Sequence, residues 1–463
     1  MRICMKTGNF INLWEKVHEN FKICLCAIFK KLERAGSIIW CYQETGQNRI
    51  GDDLLLQYQL KAEDAPILRL LDGIIVQGLE AGASDIHLEP GTEHNRVRYR
   101  VDGVLQQTQR IPMERHTALI SCVKLMSGMD IAEKRKPQDG RSQFTHSGQK
   151  VDLRISSLPT IQGEKIVIRV LNSETNQLRL EDMGFTGDNM TWYRTMYKAS
   201  YGLVLITGPT GSGKTTTLYA TLQELNQPER NIITVEDPVE YRMEGVNQVA
   251  VNAKTGMTFA NGLRSILRQD PNIIMIGEIR DRETAEIAIQ AALTGHLVFS
   301  TLHTNTAAGA VTRLLDMGIE PYLAASALRG VVAQRLVRKL CPACKEKYMA
   351  DKGMWGWKRF RNPVCDENMG DALKPPDGLI LYRQSGCDAC RRSGYRGRMA
   401  VHEVLPVNAV LKDKISRGAS EQELWKVAKT EFPGISSLEE DGMQKVKQGI
   451  TSVQELLRVL GTV

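Results

Sequence analysis

After an apolar run at residues 203–207, and before a helical segment, the chain carries Gly208-Pro209-Thr210-Gly211-Ser212-Gly213-Lys214-Thr215. This is the pattern G-x-x-x-x-G-K-[ST], and no other feature limits the fold so strongly. The loop works where a buried strand ends and a helix begins, which calls for a parallel α/β sheet with crossover helices. Its chemistry is phosphate binding. The glycines let backbone N–H groups turn toward a β-phosphate with no side chain in the way, and the next helix adds its positive N-terminal end. Lys214 has the reach to span β- and γ-phosphates, and Thr215 can set its hydroxyl on Mg²⁺. Those eight residues and Thr216 form the candidate nucleotide-binding set.

A nucleoside triphosphate site also needs acids for the metal and the attacking water. Two acidic clusters follow apolar strands, Glu236-Asp237-Pro238-Val239-Glu240 after residues 232–235 and Gly277-Glu278-Ile279-Arg280-Asp281 after residues 273–276. In open α/β sheets ligands sit beyond the C-terminal strand ends, where both clusters would project. Position 277 is glycine where many phosphate-loop enzymes carry a metal-binding aspartate. Glu278 therefore works alone or with help from Glu236 and Asp237.

The rest of the chain divides by pattern. In residues 1–53, Phe10, Leu13, Trp14, Val17, Phe21, Cys24, Leu25, Ile28 and Leu32 form one helical stripe. It reads either as a helix packed on its own protein or as a docking helix for a membrane partner or lipid. Residues 54–171 read as an α+β module: Asp64 caps a helix with Pro66 in its first turn, and short alternating strands follow. Residues 172–184 are polar and read as a linker. From 185 to 463 apolar strands alternate with helices. No run reaches the roughly 18–20 apolar residues of a spanning helix, so a cytoplasmic location is expected. The net charge, 60 − 53 = +7, does not by itself call for nucleic acid or lipid.

A cytoplasmic chain with ten cysteines needs another use for them than disulfides. Cys341-Pro342-Ala343-Cys344 and Cys387-Asp388-Ala389-Cys390 are two C-x-x-C units, together the four thiolates of one tetrahedral zinc. Loop closure over the gap between the pairs costs little extra. A zinc-binding part is expected at about residues 338–398, with Cys365 as an alternative ligand.

Taken in order, the phosphate loop, the acidic run 233–240, the unusual Walker B at 273–281 and the histidine-bearing run 294–305 resemble the secretion ATPases of type II secretion and type IV pilus systems. Ala83-Ser84-Asp85-Ile86-His87-Leu88-Glu89-Pro90 is also typical of that family's second N-terminal domain. The resemblance covers roughly residues 60–463. It implies a RecA-like ATPase core after a PAS-like α+β domain, ATP with Mg²⁺ and Zn²⁺, and a homohexamer at an inner-membrane platform protein. Glu278 is then the catalytic glutamate, with Glu236 and Asp237 assisting, and His296 and His303 form the histidine box. Arg141 and Arg154 match the family's arginines from the N-terminal domain, and Arg264 and Arg268 match a second pair. Assembly and secretion members commonly carry the four cysteines, whereas retraction members lack them. Full-length members often have a larger first domain, and about 50 residues stand in its place here.

Two other functions fit parts of the sequence. A nucleic-acid translocating ring would show a basic channel with stacking aromatics, yet aromatics make up 6% and no basic cluster interleaves with them. A nucleotide-gated scaffold without hydrolysis would have less need of Lys214, Thr215 and Glu278 together.

Overall fold

The computed structural model describes residues 65–171, 179–350 and 379–461. The amphipathic stripe, Asp64, Cys365 and part of the expected linker lie outside the described residues.

Residues 65–171 form one antiparallel sheet with two helices on one face. Its strands are β1 (Ala83–Glu89), β2 (His94–Val101), β3 (Val104–Pro112), β4 (Gln138–His146), β5 (Gln149–Thr160) and β6 (Gly163–Leu171), in spatial order β3-β2-β1-β6-β5-β4. Period-two alternation sends Ile86, Leu88, Val97, Leu153, Ile155, Ile166 and Ile168 inward. They pack under helices Ala65–Glu80 and His116–Met126, which contribute Leu68, Leu71, Ile74, Ile75, Leu119 and Val123 to the same core. The opposite face is charged. Asp85, His87 and Glu89 of β1 lie opposite Arg100, Arg98 and Arg96 of β2.

The second sheet holds β7 (Gly202–Thr207), β8 (Ile232–Glu236), β9 (Val246–Ala250), β10 (Ile273–Ile276), β11 (Leu297–Leu302), β12 (Leu328–Leu340) and β15 (Tyr395–Pro406). Its order is β15-β12-β7-β11-β10-β8-β9, parallel except that β15 runs antiparallel to β12. Strands β7, β8, β10 and β11 are buried along their whole length, so they read as continuous apolar runs. A two-stranded ribbon, β13 (Glu346–Met349) with β14 (Ile380–Arg383), stands between β12 and β15 in the chain. In the segment read as a linker, Leu180–Met183 make one 3₁₀ turn and Leu180 is buried in the core under β7.

Strand β12 is 13 residues long and β15 is 12, yet neither stands out in the sequence. Arg335, Arg338 and Lys339 in β12, and Arg396 and Arg398 in β15, interrupt the apolar run that marks their parallel neighbours.

The two sheets touch through polar groups. Arg154 of β5 donates to Val239 O at 2.9 Å and to Glu240 Oε2 at 3.3 Å. At the β2–β3 turn, Asp102 accepts from the Gly397 N–H of β15 at 2.8 Å.

Candidate active site

Parallel pairing levels the C-terminal ends of four strands. Val235 lies beside Ile276, Ile276 beside Ser300, and Leu302 beside Thr207. The phosphate loop, both acidic runs and residues 303–305 therefore emerge at one edge, the usual ligand position in such sheets.

The loop leaves β7 at Gly208 and enters the helix Lys214–Leu225. Gly208 has φ +150°, and a Cβ there would sit 2.5 Å from Gln334 O. Gly213 has φ +86°, and its Cβ would meet Gln334 Nε2 at 2.9 Å. A side chain at either position would collide with β12. Lys214 folds back to donate to Gly208 O at 2.8 Å and Pro209 O at 3.2 Å. Burial pushes its pKa down to about 8, Glu278 opposes that, and Arg335 adds to it. Thr215 is exposed at the helix start, with Thr216 half-buried beside it.

Glu278, two residues after β10, is held between Arg280 and His303. Its Oε2 is 3.0 Å from His303 Nε2, and Arg280 donates to its Oε1. Burial raises the carboxyl's pKa, but the bonds from Arg280 and His303 outweigh burial and hold it below the ordinary glutamate value. Arg280 also comes within 4.0 Å of the exposed Asp237, so one guanidinium spans both acidic runs. Glu278 is thus ionised and oriented, as a group that polarises water must be.

Glu236 is placed differently from its neighbour. It is 3% exposed and accepts from Tyr219 Oη, from Thr234 Oγ1 at 2.5 Å and from Gln248 Nε2 at 3.2 Å. Burial raises its pKa and these donors partly offset that. Three protein donors occupy this carboxylate, so of the 236–237 pair Asp237 is the exposed one beside Arg280.

The two histidines sit at opposite ends of β11. His303 follows the strand at the site edge, whereas His296 precedes it, with Nδ1 3.0 Å from Ala291 O and its carbonyl accepting from Gly202 N–H. Six residues of strand separate them, roughly 20 Å. The strand's own length keeps His296 at the far edge of the sheet from His303.

Three of the four arginines also lie away from the loop. Arg264, near the end of helix Phe259–Ile266, donates to Glu283 at 2.6 Å, and Arg268 donates back to Arg264 O at 2.9 Å. Arg141 is exposed on β4, directly across from Arg154 on β5. Arg154 alone reaches the first acidic run, at Val239 and Glu240. Sequence reasoning missed Arg280, Tyr219, Gln334 and Arg335. Arg280 lies inside a quoted run, but the others are brought in by tertiary pairing alone.

The four cysteines meet at the foot of β12. Sγ–Sγ distances are 3.9 Å for Cys341–Cys387, 3.7 Å for Cys344–Cys390 and 3.7 Å for Cys387–Cys390. All four sulfurs lie within 4.8 Å of one another. Zinc–sulfur bonds of about 2.3 Å in a tetrahedron require sulfurs about 3.8 Å apart, so the donor set fits. Backbone N–H groups of Gly386 and Gly394 reach Cys344 Sγ at 3.3 Å and Cys390 Sγ at 3.2 Å, and would relieve thiolate charge. Glycine is required there: φ is +113° at 386 and +75° at 394.

Residues 60–458 match the type II/IV secretion system protein family. The chain belongs to that family. It is 50% identical over 397 residues to the type II secretion system ATPase E of Vibrio cholerae, covering 86% of this chain and 76% of that one. It is 47% identical over 400 residues to the type IV pilus assembly ATPase PilB of Myxococcus xanthus, covering 86% and 68%. Among solved structures, the pilus retraction motor PilT with bound ADP superposes with a TM-score of 0.55 at 26% identity, over 83% of this chain and 95% of that one. The Legionella pneumophila ATPase DotB gives 0.60 at 22% identity, over 85% and 96%, a likeness of fold. With its phosphate loop intact, the chain is an ATPase of this family. No helix among the described residues is long and apolar enough to cross a membrane.

Proposed function

We propose that this ATPase is a homohexameric motor that powers type IV pilus assembly or type II protein secretion through an inner-membrane platform protein. The observation that carries the proposal is the convergence of Lys214, Glu278, Asp237 and His303 at one strand edge of a chain in this family. In the proposed mechanism the loop N–H groups and Lys214 would hold the β- and γ-phosphates, and Thr215 with Asp237 would hold Mg²⁺. Mg²⁺ would shield the phosphate charge when bound. Glu278 orients and polarises the attacking water, and His303, bonded to Glu278, reports the γ-phosphate state. Glu236 serves as a brace, tying the helix Lys214–Leu225 through Tyr219 to the acidic run.

The developing charge on the transferred phosphoryl group needs a further cation. Arg141 and Arg154 from the N-terminal sheet, and Arg264 and Arg268 from the core surface, are the proposed donors, at least two of the four acting from another domain or subunit. Residues 54–171 would be a PAS-like module, residues 172–184 its linker, and residues 185–463 a RecA-like ATPase domain. The tetracysteine part at about 338–398 would hold zinc and clip β12 to β15. Closure of the module on the core, one subunit after another, would give directional work.

The test is ATP hydrolysis by purified protein over a concentration series, beside Lys214→Ala and Glu278→Gln. Turnover should rise with assembly, and each variant should lose it by at least about a hundredfold. Nucleotide binding without turnover by assembled wild type would favour the scaffold reading instead.

A further inference from the structure

Strand β12 has no residue in any sequence motif, yet it supports the phosphate loop from beneath. Gln334 is 1% exposed. Its Nε2 donates to Ser212 O at 2.8 Å, and its Oε1 accepts from Thr217 of the loop's helix at 2.8 Å. One amide thus ties the later part of the loop to the first turn of its helix. Arg335, 5% exposed, lies against the loop's first glycine, where a Cβ on Gly208 would be 3.2 Å from Nη1. Its Nη2 donates to Asn305 Oδ1 at 2.9 Å and Asn305 O at 3.2 Å. Asn305 is two residues from His303, which bonds Glu278. Thr207 and Thr304 pin the same segment from the β7 side, through 2.8 Å and 2.7 Å bonds.

A buried guanidinium is a costly way to hold one asparagine and, at 3.1 Å, the Gln334 carbonyl, since neutral donors would do so without the desolvation of a charge. Among the described residues no carboxylate lies within ion-pair distance of Arg335. The acids that act on it from further off are Glu403 and Glu439, and burial pushes Glu403 up to about 7, so its countercharge is partial. Arg335 and Lys214 also repel one another across the loop. Two buried cations at one loop form a favourable arrangement when a polyanion lies over both.

From this arrangement we infer that Arg335 is a positioning residue of the nucleotide site: its charge favours the phosphate chain, and its bonds to Asn305 fix the segment that carries His303. This rests on the ATPase reading of the loop. The phosphate class follows from the site: a ligand with β- and γ-phosphates feels the charge, and one lacking them does not.

The test uses the full chain with Arg335→Gln, which keeps a donor and loses the charge, and Arg335→Lys, which keeps the charge. Affinity for a fluorescent ATP analogue, steady-state kcat and KM, and melting temperature without nucleotide are measured for each. Arg335→Gln should bind ATP about tenfold more weakly, in line with the loss of a charge-assisted contact. Arg335→Lys should stay within about threefold of wild type, and neither should melt lower without nucleotide. Wild-type ATP affinity in Arg335→Gln would overturn the inference. So would equal damage in both variants with a lowered melting temperature or failure to fold, since that marks a hydrogen-bonding role alone. Lys214→Ala run alongside separates the two ideas. If wild type itself binds no ATP, the ATPase reading fails; if it binds and Lys214→Ala does not, the Arg335 result stands by itself.

Discussion

At the scale of single residues, burial and close partners hold Lys214, Glu236 and Glu278 away from their ordinary pKa values. Lys214 is the clearest case. The folded protein holds it at about 8, below its ordinary 10.5, chiefly through burial. To meet phosphates it must be protonated. Above pH 8 the free site is largely neutral and binding has to take up a proton, so ATP affinity should fall as pH rises through about 8 and hold steady below it. Titrating the fluorescent analogue between pH 7 and 9.5 checks this, and a flat profile would mean that Lys214 stays charged. The histidine pair carries the complementary lesson. His296 and His303 look alike in the sequence, and only His303 touches Glu278. Asp237 and Glu236 likewise adjoin in sequence, but strand alternation and the Tyr219 bond turn one toward solvent and the other into the core.

At the scale of elements, the four-cysteine cluster joins the end of β12 to the start of β15, where Leu340 pairs with Tyr395. Both strands continue from there along the core sheet, so a metal on these sulfurs would fix the edge on which Gln334 and Arg335 sit. Purified protein should contain about one zinc per chain by elemental analysis. Cys387→Ser should lose most of it and melt at least about 5 °C lower. A metal-free wild type that melts as high as a zinc-loaded one would remove the clip from the account. The paired C-x-x-C units were plain in the sequence because ligand spacing is local. The strands they join were not, since their arginines mask the apolar pattern.

For the whole molecule, the N-terminal sheet has its own apolar core and meets the ATPase sheet through Arg154 and Asp102. The Arg154–Glu240 pair is partly exposed, and such pairs contribute less than about 1 kcal/mol. Glu240→Ala and Arg154→Ala should therefore shift the melting temperature by no more than about 2 °C, whereas Arg154→Ala should lower the assembly-dependent ATPase rate several-fold. A large stability loss with unchanged turnover would make Arg154 a fixed structural bolt.

By itself the sequence determined the chemistry that lies in contiguous runs: the glycine-rich cradle, the acidic strand ends, the cysteine pairs and the apolar strands that carry them. Glycines at positive φ, thiolates three residues apart and uninterrupted apolar strands are local demands, and local demands leave local patterns. What only the tertiary structure decided is which similar residues share a site. Strand β12 comes beside β7 from more than a hundred residues away and supplies Gln334 and Arg335 to the loop. The length of β11 sends His296 to the far edge, and packing turns Glu236 inward. Those outcomes depend on sheet order and strand length, which no short window of sequence contains.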